Sequence, residues 1–173
     1  MTAPVYIEVY DAAWPKRFEV ERELLREVLG PWLAGPIEHV GSTAVFGLAA
    51  KPIVDIMAGV SSLAESRPAI DALAAHGYCH HSYAEDVEHW FCKPSPELRT
   101  HHLHLVPVHS ELWQQRLVFR DALRAQPARA AEYARLKVEL AERHRFDREA
   151  YTRAKSAFIG EVLRDVARHD GSP

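Results

Sequence analysis

Residues Glu38 to Met57 read EHVGSTAVFGLAAKPIVDIM, and the order of residue types in this stretch decides the fold. A short apolar strand ends in Gly41-Ser42-Thr43, small residues follow, then Lys51-Pro52, then a second apolar strand with Asp55 at its centre. A carboxylate inside a Val/Ile run is costly to bury unless it is paired, hydrogen-bonded or metal-bound. In a strand, Ile53, Asp55 and Met57 point to one face and Val54 and Ile56 to the other, so Asp55 is expected on the less apolar face.

A Gly-Ser-Thr placed between a strand and a possible helix offers backbone N–H groups and two hydroxyls to an anion, phosphate above all. The same tripeptide also serves as a tight turn with a hydroxyl cap. Lys51 beside such a turn acts as a point charge on phosphate oxygens, or else as a solvated loop lysine. Further on, RTHHLHLVPV places His102 and His104 at period two, on one face of a strand, with His101 and Leu103 on the other. Two imidazoles and the Asp55 carboxylate from a neighbouring strand make a three-ligand set for a divalent metal, with positions left for substrate. A histidine pair on a strand also occurs for purely structural reasons. Glu38 and His39 stand just before Gly41, and one of them faces the same site, although alternation does not say which.

Outward from this centre, VYIEV reads as a strand, and Asp11 caps a helix with Pro15 in its first turn and Trp14, Phe18, Leu25 and Leu29 on one face. GPWLAGP ends that helix. Leu63 to His76 reads as a helix stopped by Gly77. YCHHSY, VEHWFCK and THHLHLVPV read as strands, with PSPE breaking the chain before the last. Helices are expected over Leu112 to Ala125, over Ala128 to His144 after the break at Gln126-Pro127, and over Asp147 to Ala167. Tyr133, Leu136 and Leu140 mark one buried stripe; Tyr151, Phe158, Val162 and Val166 mark another. A mixed sheet followed by a C-terminal helical cluster is an α+β layout, and with no repeat or linker in view residues 1–173 are expected to form one domain.

The chain has 173 residues, 47% hydrophobic and 26% charged, with 21 basic against 24 acidic residues. That composition suits a globular domain with a real core, and the absence of a basic block gives no support for nucleic-acid binding. PIVDIMAGV and similar runs are too short to span a bilayer, and MTAPVYIEVYDAAW does not have the pattern of a signal peptide, so a cytoplasmic protein is expected. In a reducing compartment Cys79 and Cys92, in strand-like segments that can meet across a hairpin, are expected to remain thiols.

Gly-Ser followed by a short spacer and a strand-borne Asp resembles the signature of DNA polymerase beta-like nucleotidyltransferases. There Gly-Ser sits on the phosphate tail and strand carboxylates hold two divalent cations. More specifically, EHVGSTAVFGLAAKPIVDI, EHWFCKPSPELRTHHLHLVPV, FRDALRAQPARAAEYARLKVELA and YTRAKSAFIGEVL resemble the GrpB family, which is placed in that superfamily by fold and is also found fused to dephospho-CoA kinase. The chain departs from the superfamily at Asp55-Ile56-Met57, where Asp-x-Asp or Asp-x-Glu is usual, and at His102 and His104, where a third acidic residue is usual. Phe46 also stands where the family's loop carries proline. The histidines shift the expected cation from Mg²⁺ toward Zn²⁺, Mn²⁺, Fe²⁺ or Ni²⁺. The resemblance implies a nucleotidyltransferase-like protein that binds a nucleotide or phosphorylated small molecule and transfers a nucleotidyl or phosphoryl group to a small acceptor. In that reading Gly41, Ser42, Thr43, Lys51 and His39 bind substrate, Asp55 and Glu38 are catalytic, and Asp55, His102 and His104 hold a divalent metal (Mg²⁺, Mn²⁺ or Zn²⁺). A non-catalytic binding module on the same fold and a metal-dependent hydrolase are the alternatives.

Overall fold

The computed structural model describes residues 4–82 and 84–170. Five strands form one mixed sheet: β1 (Leu33–Val40), β2 (Val54–Val60), β3 (Cys79–His81), β4 (His89–Pro94) and β5 (Arg99–Pro107), in the order β1-β2-β5-β4-β3. β2 and β5 are parallel and every other pair is antiparallel. The parallel pair forms the centre and carries the expected site residues: Val40 lies opposite Asp55, Asp55 opposite His102, and Met57 opposite His104.

One face of the sheet is covered by α1 (Ala13–Leu29), whose Trp14, Phe18, Leu25 and Leu29 are buried as the helical spacing requires. They pack on Val54, Ile56, Leu103 and Leu105, the residues that alternate with Asp55, His102 and His104. The other face receives α4 (Glu111–Ala125), whose Trp113 closes over Val40, Met57 and Val106. α5 (Pro127–Arg143), α6 (Arg148–Ala154) and α7 (Ser156–Asp170) extend this layer, with a core of Leu123, Tyr133, Phe158 and Val162 that also takes Val45 and Leu48 from the segment after the Gly-Ser-Thr turn. An α+β architecture with a C-terminal helical layer is the observed fold.

Several boundaries differ from the sequence reading, each for a local reason. VYIEV forms no strand: the segment is held by Val5 N–H donating to Arg145 and by one bridge between Glu8 and Ala50. β1 runs from Leu33, through the GPWLAGP segment read as the end of the helix, with an irregular register across Gly35-Pro36 because proline gives the ladder no N–H. The helix expected over Leu63 to His76 is two short ones, α2 (Leu63–Ser66) and α3 (Ala69–Ala74), interrupted at Pro68, whose ring clashes with a continuing helix. In YCHHSY only Cys79–His81 pairs, and Tyr83 lies outside the described residues. The last helix breaks at Lys155, so Tyr151 joins Val5, Leu140 and Ala141 while Phe158, Val162 and Val166 join the other helical core.

Candidate functional site

Where α4 leaves the sheet uncovered, Asp55, His102 and His104 share one face. His102 Nδ1 lies 2.9 Å from Asp55 Oδ1, and His104 Nε2 lies 4.0 Å from the same oxygen. Burial works against the Asp55 charge, but hydrogen bonds from His102 and His104 outweigh it and hold the carboxyl well below its ordinary range. For His102 burial dominates and lowers its pKa despite Asp55. The pair is therefore ionised Asp55 accepting from a neutral His102 Nδ1–H. His102 Nε2 has no hydrogen-bond partner among the described residues. His104 turns its Nδ1 to Glu88 at 2.7 Å, and Arg116 holds that carboxylate at 3.0 Å. Burial raises the Glu88 pKa, and His104 and Arg116 together bring it down to about 2.

The Gly-Ser-Thr turn passes directly over Asp55. Gly41 has φ 70°, and a Cβ there would stand 2.5 Å from Asp55 Oδ2, so only glycine lets the backbone approach the carboxylate this closely. Burial dominates at Tyr133 and raises its pKa, while Ser42 acts against burial and favours the ionised phenol. The carbonyls of the following segment are held by cations from the helical layer: Arg124 donates twice to Ala44 O, at 3.0 and 2.8 Å, and Lys137 Nζ donates to Ala49 O.

Three lysines from three different parts of the chain surround this point. Lys51 Nζ and Lys155 Nζ lie 5.2 and 4.4 Å from the centroid of the same ring, Tyr151, and Lys137 Nζ lies 4.8 Å from that of Tyr133. The aromatic faces offset part of the cost of burying ammonium groups. Burial lowers all three pKa values; repulsion from Lys155 and Lys51 adds to it at Lys137, brought down to about 7, repulsion from Lys51 at Lys155, brought down to about 8, and repulsion from Arg148 and Arg99 at Lys51, while the Asp55 carboxylate acts in the opposite sense on each. One carboxylate thus faces three lysines, of which Lys137 is only partly protonated at neutral pH.

Of the residues singled out in the sequence, Asp55, His102, His104, Gly41, Ser42 and Lys51 come together. The others are turned to different tasks. The register puts Glu38 on the Asp55 face, opposite Met57, but its carboxylate is bound by Arg120 of α4 at 2.6 Å. His39 points to the α1 face, stacked on Phe18 at 4.7 Å, and its Nε2 lies 2.9 Å from the Thr43 hydroxyl. Thr43 is 1% exposed, so its side chain anchors the turn from behind instead of facing a ligand. Burial is the largest influence on His39 and brings its pKa down to about 4 against the pull of Asp55. A cavity of about 390 Å³ lined by Phe18, His39, Glu38, Ala44, Arg120 and Arg124 lies along β1 and does not reach Asp55.

Sequence reasoning missed Glu88, Arg116, Lys137, Lys155, Tyr133 and Tyr151 as site neighbours. Lys137 left a trace, since it occupies the i+4 position from Tyr133 inside a buried stripe where an apolar residue belongs. Glu88 alternates with Trp90 and Cys92 on the strand face that leads to His104. The three-ligand metal set does not form as expected: among the described residues no group of three or more His, Cys, Asp or Glu side chains is arranged to hold a metal ion. Asp55 and His104 do suit a divalent cation, because His104 Nε2 is oriented by a carboxylate behind Nδ1, the usual setting of a ligating histidine. His102 has the same setting, with Asp55 behind Nδ1 and Nε2 without a partner among the described residues, but it draws on the Oδ1 of the carboxylate that would share the cation.

The fold and the site define an α+β protein with histidines and lysines gathered about one carboxylate on the central parallel strands. Comparison with known proteins specifies it further. The family model described as "GrpB protein" matches residues 4–165, and the chain belongs to that family. It is 34% identical to the glutamate-rich protein GrpB of Alkalihalophilus pseudofirmus over 94% of this chain and 95% of the relative. A UPF0157 protein of Pseudomonas aeruginosa is 40% identical over 88% of this chain and 64% of that protein. A dephospho-CoA kinase of Mycolicibacterium paratuberculosis is 29% identical over 94% of this chain, which spans 46% of that enzyme. In structure, the chain is similar to the conserved protein GrpB from Enterococcus faecalis, with a TM-score of 0.86 and 30% identity over 96% of this chain and 100% of that one. No helix among the described residues is long and apolar enough to cross a membrane.

Proposed function

We propose that this protein binds a nucleotide or another phosphorylated small molecule between the Gly41-Ser42-Thr43 turn and the lysines, and transfers a nucleotidyl or phosphoryl group from it to a small acceptor. The observation that carries this reading is the imbalance of charge: Lys51, Lys137 and Lys155 converge on a single carboxylate, Asp55, and the charge of Lys51 depresses the protonation of the other two. Buried cations in excess of their counter-charges call for an anion from outside. Phosphate oxygens suit point charges of the lysine type, and the likeness to part of a protein named dephospho-CoA kinase accords with a phosphorylated ligand. A divalent cation, if bound, would be held by Asp55 Oδ1 and His104 Nε2 and would supply Lewis-acid charge to a phosphate oxygen. Asp55 orients His102, Glu88 and Arg116 orient His104, and the lysines hold and neutralise the anion.

A second reading, binding without turnover, is favoured by Met57. It stands where the nucleotidyltransferase superfamily has its second strand carboxylate, yet it is completely buried under Trp113. The two-metal arrangement of that superfamily therefore has no second carboxylate here.

The experiment is thermal unfolding with each of the four common nucleoside triphosphates and with inorganic tripolyphosphate, alone and with Mg²⁺ or Mn²⁺. A ligand at a hundredfold excess over Kd stabilises the folded chain by about 2.7 kcal/mol, and the shift should disappear in Lys51→Gln. Absence of any shift with all of these anions would remove the phosphate reading. A shift without consumption of the nucleotide in the presence of small alcohols and amines would favour the binding module.

A further inference from the structure

Cys79 of β3 and Cys92 of β4 stand directly opposite each other in antiparallel register, and both are free thiols. Directly opposed residues in such a ladder have Cα atoms about 4.5–5.5 Å apart, within the range that a disulfide spans. The two thiols are near enough to influence each other's ionisation. Their environments differ. Cys79 is half-buried, with its S–H donating to Pro94 O at 3.6 Å, so a small oxidant can reach it; Cys92 is fully buried. Cys92 Sγ also lies 3.4 Å from His81 Nε2. Burial and the positive charge of Arg99 keep His81 neutral near pH 7, able to take a thiol proton. Burial disfavours the Cys92 thiolate, and Arg99 favours it.

We propose that Cys79 and Cys92 form a reversible thiol-oxidation site, with Cys79 as the thiol attacked by a peroxide and Cys92, beside His81, as the resolving thiol. In the first step the Cys79 sulfur attacks one peroxide oxygen: an S–O bond forms, the O–O bond breaks, and the thiol proton leaves with the departing oxygen as water. In the second, Cys92 passes its proton to His81 Nε2 and attacks the Cys79 sulfur; the S–S bond forms, the S–O bond breaks, and hydroxide recovers the proton as a second water. The two thiols lose two electrons, and hydrogen peroxide is reduced to two waters.

The pair is linked to the Asp55 face by a row of rings. His81 lies 5.0 Å from Trp90, Trp90 lies 5.0 Å from His102, and His102 bonds Asp55. Cys92 is itself the register partner of His102. Drawing Cys92 toward Cys79 removes its contact with His81 at the outer end of this row.

The test uses the intact protein and does not depend on any ligand. Treatment with hydrogen peroxide should abolish both titratable thiols and lower the mass of the monomer by about 2 Da, with peptide mapping linking residues 79 and 92 and dithiothreitol restoring both thiols. Cys79→Ser should leave Cys92 titratable under the same exposure. His81→Phe should slow disulfide formation about a hundredfold while the first, oxygen-adding step keeps its rate. Thiols that stay titratable, a gain of oxygen with no cross-linked species, or a disulfide that joins two molecules would each overturn the proposal. A His81→Phe variant that closes the disulfide at the wild-type rate would overturn the part assigned to His81.

Discussion

Two pairs of residues on one face of the same two strands, β2 and β5, meet opposite fates. Met57 and Val106 lie under Trp113 of α4 and are completely buried; Asp55 and His102, two and four residues earlier on their strands, remain partly open to solvent. Strand alternation treats the pairs as equivalent. What separates them is the path of α4, which covers one half of the face with an indole and leaves the other half to the lysines of α5 and of the α6–α7 turn. A carboxylate is tolerated in the open half because imidazole and ammonium groups meet it. In the covered half the side chains packed over Met57 are apolar.

The comparison is broken most forcefully by exchanging the chemistries. Met57→Asp puts a carboxylate into the Val40, Val106 and Trp113 cluster, and an unpaired buried charge should cost about 4 kcal/mol. Chemical denaturation should show this loss, and a variant as stable as wild type would mean that the covered half is open to water.

The next effect concerns pH and the face behind the turn. His39 has its folded pKa down at about 4, against an ordinary value of 6.5. Between these values the unfolded chain binds a proton that the folded chain refuses. Stability therefore falls as pH drops through this window, by about 3 kcal/mol at most at 1.36 kcal/mol per unit. Denaturation curves from pH 7 to 4 should show this slope, and it should be shallower in His39→Gln. Equal slopes in the two proteins would remove His39 as its source.

Asp55→Asn tests the open half. It leaves an amide oxygen that can accept from His102 but removes the negative charge that strengthens that bond and faces the three lysines, so the ligand-free protein should lose about 1–3 kcal/mol. Added tripolyphosphate should restore part of that loss by supplying negative charge. A variant that gains stability without any anion would show that Asp55 is held only for a cation. The smallest effect belongs to a site remote from both halves. Ser62 caps α2 by accepting from Glu65 N–H, and Ser62→Ala should cost about 1 kcal/mol without altering anion-dependent stabilisation.

Much of this was legible before any tertiary contact was known, because it depends on short-range periodicity. The period-two runs around Asp55 and His102, the helical faces of α1, and the break at Gln126-Pro127 follow from backbone geometry repeated over a few residues. The juxtaposition of Asp55 with His102 and His104 followed from placing two polar-bearing strands side by side. The division of labour between Glu38 and His39 did not follow, since alternation separates them without naming the inward one; the pairing of Val40 with Asp55 resolves it, and Arg120 then claims Glu38.

The amino-acid sequence alone determined the α+β order of elements, the glycine at the strand end and the presence of a carboxylate that needs partners. The tertiary structure decided who those partners are. Lys51, Lys137 and Lys155 are separated along the chain by as much as the whole helical layer, and Glu88 reaches His104 across a β4–β5 register that no local pattern encodes. Charge acts through space and periodicity acts along the chain, so an electrostatic site built from distant helices becomes visible only when those helices are folded onto the sheet.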